Sequence, residues 1–206
     1  MPLIALLVIL AVVALWVASA YNGLISLKNQ VANAWKQIDV QLKRRHDLIP
    51  NLVETVKGTM QFEKGTLEAV VSARNRAIAV QGTGGGPNVA ATAAAEGALS
   101  GALGRLLAVV EAYPDLKSVG NAAQLQEELT STENKIAFAR QMYNDTATMY
   151  NTRQRQFPTL LVAGIAGAVP AELWEITDSA ERENVHVDLS MNPPAPGTPA
   201  PPSTRS

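Results

Sequence analysis

Few side chains in this sequence have the type and spacing that chemistry needs. Arg44, Asp47, Asn51 and Glu54 fall at i, i+3, i+7 and i+10, so they share one face of a helix. Glu133 and Arg140 lie one heptad apart, as do Asn144 and Asn151, so each pair shares a face too. Carboxylates and guanidinium groups on facing helices make charge-assisted hydrogen bonds. A layer of such bonds inside a bundle fixes register and partner choice at some cost in stability. The expectation is a structural polar layer of Arg44, Asp47 and Asn51 on one helix, met by Glu133 and Arg140 on another.

Acid–base, nucleophilic and metal chemistry have less to work with. His46 and His186 are the two histidines, far apart in the chain, and Asp47 beside His46 points away from it on a helix. One imidazole with scattered carboxylates is not a zinc site, and there is no cysteine to complete one. The same absence removes disulfides, thiolate catalysis and lipid attachment at cysteine. Neither Gly-x-Ser-x-Gly nor His-Glu-x-x-His occurs. The glycines of 82–86 precede Pro87-Asn88 with no Gly-Lys-Ser/Thr, which argues against a phosphate cradle. No catalytic residue, cofactor or metal is expected. A net charge of −1 gives no broad attraction to nucleic acid.

The elements that position these residues are helices. Aromatics are only 5% of the chain, and small side chains suit close-packed helices better than a sandwich core. From Pro2 to Ala20 no side chain is charged, and the run is apolar on every face, long enough to cross a hydrocarbon core of ~30 Å. Trp16 and Tyr21 stand at its end, where interfacial aromatics belong. A cleaved signal peptide is the rival, since Ala18-Ser19-Ala20 fits a cleavage pattern. The apolar run is too long for that reading, and no basic residue precedes it. Lys28, Lys36, Lys43, Arg44 and Arg45 follow the span, so the positive-inside rule puts a short N-terminus outside and the remainder in the cytoplasm.

Beyond the span, Leu24, Leu27, Val31, Ala34, Ile38 and Leu42 form a helical stripe, continued at Leu52, Val56 and Met60, then at Leu67, Val71 and Ile78. Nothing separates Tyr21 from Leu42, so the first helix should leave the membrane unbroken. Pro50 removes one backbone donor, and a kink or restart is expected there. A loop at 82–88 precedes a third helix over about Val89 to Val110. A turn at Ala112-Tyr113-Pro114-Asp115 leads to a fourth over about Asn121 to Gln156. Met142-Tyr143-Asn144 recurs as Met149-Tyr150-Asn151, one heptad later, as a repeated packing layer. Residues 160–169 are apolar but too short to span, so they should cap the bundle, with contact to lipid the alternative. Val185, Val187 and Leu189 alternate like an extended piece, and a Pro-rich tail follows. The domains read as a transmembrane anchor over 1–20, an all-α antiparallel bundle of three to four long helices over 21–180, an irregular segment over 181–192 and a disordered tail over 193–206.

The run Arg44-Arg45-His46-Asp47-Leu48-Ile49-Pro50-Asn51-Leu52-Val53 resembles the LemA family. The resemblance continues at Val70-Val71-Ser72-Ala73-Arg74, Ala112-Tyr113-Pro114-Asp115-Leu116-Lys117 and Thr132-Glu133-Asn134-Lys135-Ile136-Ala137-Phe138-Ala139-Arg140, covering about residues 20 to 180. It implies a single-pass protein of a bacterial inner membrane with a short outer N-terminus and a cytoplasmic bundle, and it does not imply an enzymatic activity. One class of relatives looks like a component of magnetic-organelle membranes, which implies a membrane-organising role by analogy. The family places an aromatic near Ala168, and this chain does not. The expected partners are the bilayer, through residues 2–20, and proteins or further copies of the chain. The expected function is a membrane-anchored scaffold or interaction protein. The alternatives are an adaptor of a membrane enzyme such as a protease, or a periplasmic domain.

Overall fold

The computed structural model describes residues 1–57, 63–81, 88–113 and 121–175. Residues 82–87 of the loop expected at 82–88, Pro114 and Asp115 of the expected turn, Met60 of the expected stripe, His186 and the segments expected after residue 175 lie outside them. Every regular element among the described residues is helical: α1 Pro2–Lys57, α2 Lys64–Gln81, α3 Val89–Ala112, α4 Ala122–Arg155 and the short α5 Leu160–Ala163.

The length of α1 follows from its sequence. Between Pro2 and Pro50 there is no proline and only Gly23 to loosen the backbone, so nothing ends the helix. Its 56 residues extend roughly 84 Å at ~1.5 Å per residue. As expected, it passes from the apolar run into the bundle without a break. Pro50 lies inside α1 rather than between two helices. The start of α3 is set by Asn88, whose side-chain oxygen accepts from the Ala91 amide at 3.1 Å. At the far end of α4, Arg153 and Arg155 complement the negative end of the helix dipole.

Helix α1 packs along α4, and α2 packs on α3. Leu24 of α1 clusters with Tyr150 of α4, while Arg44 further along reaches back to Glu128, so the two helices are antiparallel. Three apolar clusters succeed one another along the bundle. The distal one joins Ile49, Leu52 and Val56 to Val70 of α2, Leu99 and Leu106 of α3 and Leu129 of α4. The middle one joins Ile38 and Leu42 to Val89 and Ala93 of α3 and to Ile136 and Tyr143 of α4. The third, nearest the apolar run, contains Leu24, Tyr150 and Ala163, with Leu27 and Val31 against it. Here residues from α5 and from the chain after it occupy the place that α2 and α3 fill further along.

Residues Leu3 to Leu15 take no part in this core: the large apolar side chains there are each at least half exposed, whereas Leu24 is fully buried. Packing therefore begins at Ala20, where the apolar run ends.

Candidate functional site

The distal and middle clusters are separated by a polar layer. On α1 the core positions step through Ile38, Leu42, Arg45, Ile49, Leu52 and Val56, alternating by four and three. Arg45 thus occupies a position where the pattern demands an apolar side chain. On α3 the same alternation runs through Val89, Thr92, Glu96, Leu99, Leu103 and Leu106, which puts Glu96 in the core as well. Arg45, His46 and Glu96 are each 3–4% exposed.

Burial of this kind is tolerated only when every charge is answered. The imidazole Nε2 of His46 lies 2.8 Å from Glu96 Oε1. The Arg45 guanidinium donates to Ser100 Oγ at 2.8 Å and meets Glu133 Oε2 at 3.1 Å and Glu96 Oε2 at 3.5 Å. One arginine of α1 is therefore shared between carboxylates of α3 and α4. Neighbouring apolar layers are non-directional, whereas these bonds exist at one register only.

The residues expected from spacing are distributed around this layer. Glu133 does reach across to α1, but its partner is Arg45. Arg44 sits one residue away on the exposed side and pairs with Glu128 at 3.7 Å. Asp47 pairs with Lys43 of its own helix at 3.5 Å, both exposed. Asn51 lines a small cleft of about 450 Å³ with Thr55, Gln124 and Glu128. The guanidinium of Arg140 lies over the Trp174 ring, 5.8 Å from its centroid.

A second polar arrangement explains Pro50. Proline cannot donate to the carbonyl four residues back, which is that of His46. Arg74 of α2 supplies the missing donor, with Nε 2.7 Å from that oxygen. The ionic layer and the proline are thus coupled through one residue: the His46 side chain holds α3 and its carbonyl holds α2.

A third lies at the other end of α4. The Asn144 amide donates to the Trp174 carbonyl at 2.9 Å and accepts from the Trp174 amide at 2.8 Å. Asn151 treats Ala171 the same way, with both bonds at 2.8 Å. Seven helical residues rise ~10.5 Å, and three extended residues rise ~10 Å, so the two lengths match. The heptad-spaced asparagines therefore hold residues 171–174 as a strand would, instead of facing α1. Between them the Tyr143 hydroxyl donates to the Glu172 carbonyl at 2.7 Å. Burial, with the nearby Glu172 carboxylate, pushes the Tyr143 hydroxyl pKa up. Trp35 completes the contact, 5.4 Å from Tyr143 and 6.0 Å from Trp174, centroid to centroid.

The solvent-facing counterpart of these buried groups is a groove of about 980 Å³ between α1 and α4, lined by Gln37, Gln41, Asn134, Lys135, Phe138 and Met142. Phe138 is 70% exposed on its wall, and the buried Gln41 Oε1 has no hydrogen-bond partner among the described residues. Arg45, His46 and Glu96 do not open into it. Among the described residues no group of three metal-ligating side chains converges.

The family model of the LemA family matches residues 34–189. Magnetosome protein MamQ 2 of Paramagnetospirillum magneticum is 30% identical over 177 residues, covering 75% of this chain and 64% of that protein. Magnetosome protein MamQ of Magnetospirillum gryphiswaldense is 25% identical over 168 residues, covering 71% and 61%. Protein LemA of Metamycoplasma hominis is 26% identical over 171 residues, covering 82% and 74%. The chain thus spans less than two thirds of the magnetosome relatives it matches.

Proposed function

The chain belongs to the LemA family, and on that premise we propose that this membrane-associated helical protein is a bilayer-anchored scaffold, without catalytic function, that presents its bundle to protein partners in the cytoplasm. The observation that carries this reading is the continuity of α1. Its first part exposes apolar side chains on all sides, and its second part is the central helix of the bundle. A partner bound to the bundle is thereby held at a fixed distance from the membrane. The buried ionic layer supports a structural role, because its charges are consumed by one another and fix the register of α1, α3 and α4. The groove carrying Phe138 and Met142 is the surface proposed for partners, since large exposed apolar side chains in a concave site favour a protein contact.

Two measurements test this. Reporters active only in the cytoplasm or only in the periplasm, fused after Asn192, should report the cytoplasm; activity of the periplasmic reporter alone overturns the orientation. A photo-crosslinker at Phe138 or Met142 in intact cells should give a discrete protein adduct. Absence of an adduct at both positions, with the chain still in the membrane, overturns the scaffold reading while leaving the anchor.

A further inference from the structure

We infer that the segment from Phe157 to Val169 is a second membrane contact, seated on the bilayer surface beside the point where α1 emerges. The inference rests on the anchor reading above, and three observations lead to it.

The first is position. Ala163 of α5 packs with Leu24 and Tyr150, and Leu24 lies one turn past Ala20, where the apolar run stops. A bilayer holding residues 2–20 therefore has its surface at this segment, and the contact is continuous with the anchor.

The second is sidedness. Val162, Ala163 and Thr159 are buried against the bundle, while Phe157, Leu160, Leu161, Ile165 and Val169 are 81, 54, 65, 78 and 73% exposed. Apolar side chains scattered singly on a surface need no explanation. Here they are grouped on the outward side of one short segment.

The third is charge. No charged residue occurs between Arg155 and Glu172. Exposed Arg153 and Arg155 immediately precede the segment, and exposed Lys28 lies one turn past Leu24. Apolar side chains flanked by basic ones match acyl chains flanked by anionic headgroups, the pattern of a segment lying in the interface. The segment is too short to span, so its contact is confined to one leaflet.

The cysteine-free sequence makes the test direct. Single substitutions Leu7→Cys, Tyr21→Cys, Leu161→Cys, Ile165→Cys and Phe138→Cys in the full chain accept an environment-sensitive fluorophore. Each labelled protein is reconstituted in phosphatidylcholine–phosphatidylglycerol vesicles, with nitroxide quenchers placed shallow or deep in the acyl chains. Probes at 161 and 165 should be quenched by the shallow nitroxide to the extent seen at 21. The probe at 7 should respond to the deep one. The probe at 138, twelve residues back along α4 from Tyr150 and so roughly 18 Å away, should respond to neither. Quenching at 7 without quenching at 161 and 165 overturns the contact and leaves the anchor. Blue-shifted but unquenched emission at 161 and 165 overturns it in favour of a protein cover, such as a second copy. No quenching at 7 overturns the anchor and the contact together.

Discussion

Glu96 ties α3 to α1, and Arg45 extends the tie to α4. It accepts from His46 and faces the guanidinium of Arg45, and it is closed to solvent. Removing one partner of a buried pair typically costs about 3–5 kcal/mol, because the other charge stays buried. Arg45→Met should therefore destabilise the detergent-solubilised chain on that scale in urea unfolding. Arg45→Met with Glu96→Met should recover part of the loss, since the Glu96 carboxylate is then gone and only the buried His46 imidazole is left without its partner. Arg44→Ala and Asp47→Ala remove exposed pairs and should each cost under about 1 kcal/mol. Equal costs for Arg44 and Arg45 would overturn this assignment. The contrast shows what the sequence allowed to be read. A polar layer with Glu133 in it was legible from spacing. The α1 side was read one residue off, because Arg45 and His46 look like interruptions of the apolar stripe. Extending the four–three alternation from Leu42 to Ile49 would have landed on Arg45, and from Thr92 to Leu99 on Glu96. At the other end, Tyr143 titrates above its ordinary value in the folded chain because of its burial. A raised pKa means the unfolded chain loses its proton first. The contribution is fully present below about pH 10 and is lost as pH rises through the folded value. Unfolding free energy should thus fall on the alkaline side, less steeply in Tyr143→Phe, as measured by denaturant titration at stepped pH.

Among the elements, α3 and α4 were legible almost to their ends: the expected limits Val89–Val110 and Asn121–Gln156 compare with Val89–Ala112 and Ala122–Arg155, whereas α1 runs past Pro50, where a kink or restart is expected, to Lys57. Long periodic runs bounded by asparagine or proline carry strong local signals. What no local signal carries is the way elements repair one another. Pro50 orphans the His46 carbonyl, and the repair comes from Arg74 on another helix. We propose that α1 also bends there, since the proline ring crowds the preceding turn. Arg74→Ala should cost about 1–3 kcal/mol by leaving that carbonyl unpaired. In a Pro50→Ala background the restored amide can donate instead, so the same substitution should cost clearly less. A coupling energy near zero in that double-mutant cycle would separate the two residues. The extended strap was hidden for a related reason. The repeated Met-Tyr-Asn triplets announce a layer, but asparagine does not reveal that its partner is a backbone. Asn144→Leu and Asn151→Leu each strand a backbone donor and acceptor of residues 171–174. Either should loosen the strap, read as a red shift of tryptophan emission as Trp174 becomes exposed, together with faster proteolysis after Val169. An unchanged spectrum in both would mean that ring packing alone holds it.

On the anchor reading the whole molecule divides into a part held by lipid and a part stabilised by itself, and the two share one helix without sharing a core. The first buried apolar residue of α1 is Ala20, and among the described residues the large apolar side chains from Leu3 to Leu15 are each at least half exposed. On that reading a segment without packed contacts among the described residues transmits no folding energy to the bundle. It serves as a tether, and its failure should be seen in location rather than in fold. A charge at its centre makes this separable, because placing lysine or arginine mid-span costs about 2.5–3.5 kcal/mol of insertion free energy. Val8→Arg together with Val12→Arg should shift the chain from the membrane fraction to the soluble one. The same double variant should unfold in urea with a free energy within about 0.5 kcal/mol of the parent, as substitutions remote from any packed contact do, provided both are measured in the same detergent. It should also keep the tryptophan emission of the closed strap. If the bundle loses stability along with the membrane, then the exposed apolar run supports the fold in a way its lack of contacts does not explain. If the variant stays bound to anionic vesicles and is released only when Leu161→Asp and Ile165→Asp are added, the bundle carries its own affinity for the bilayer surface. The tether would then act by concentrating an interaction the bundle already makes, because a second contact on the same molecule forms at the high effective concentration set by the first.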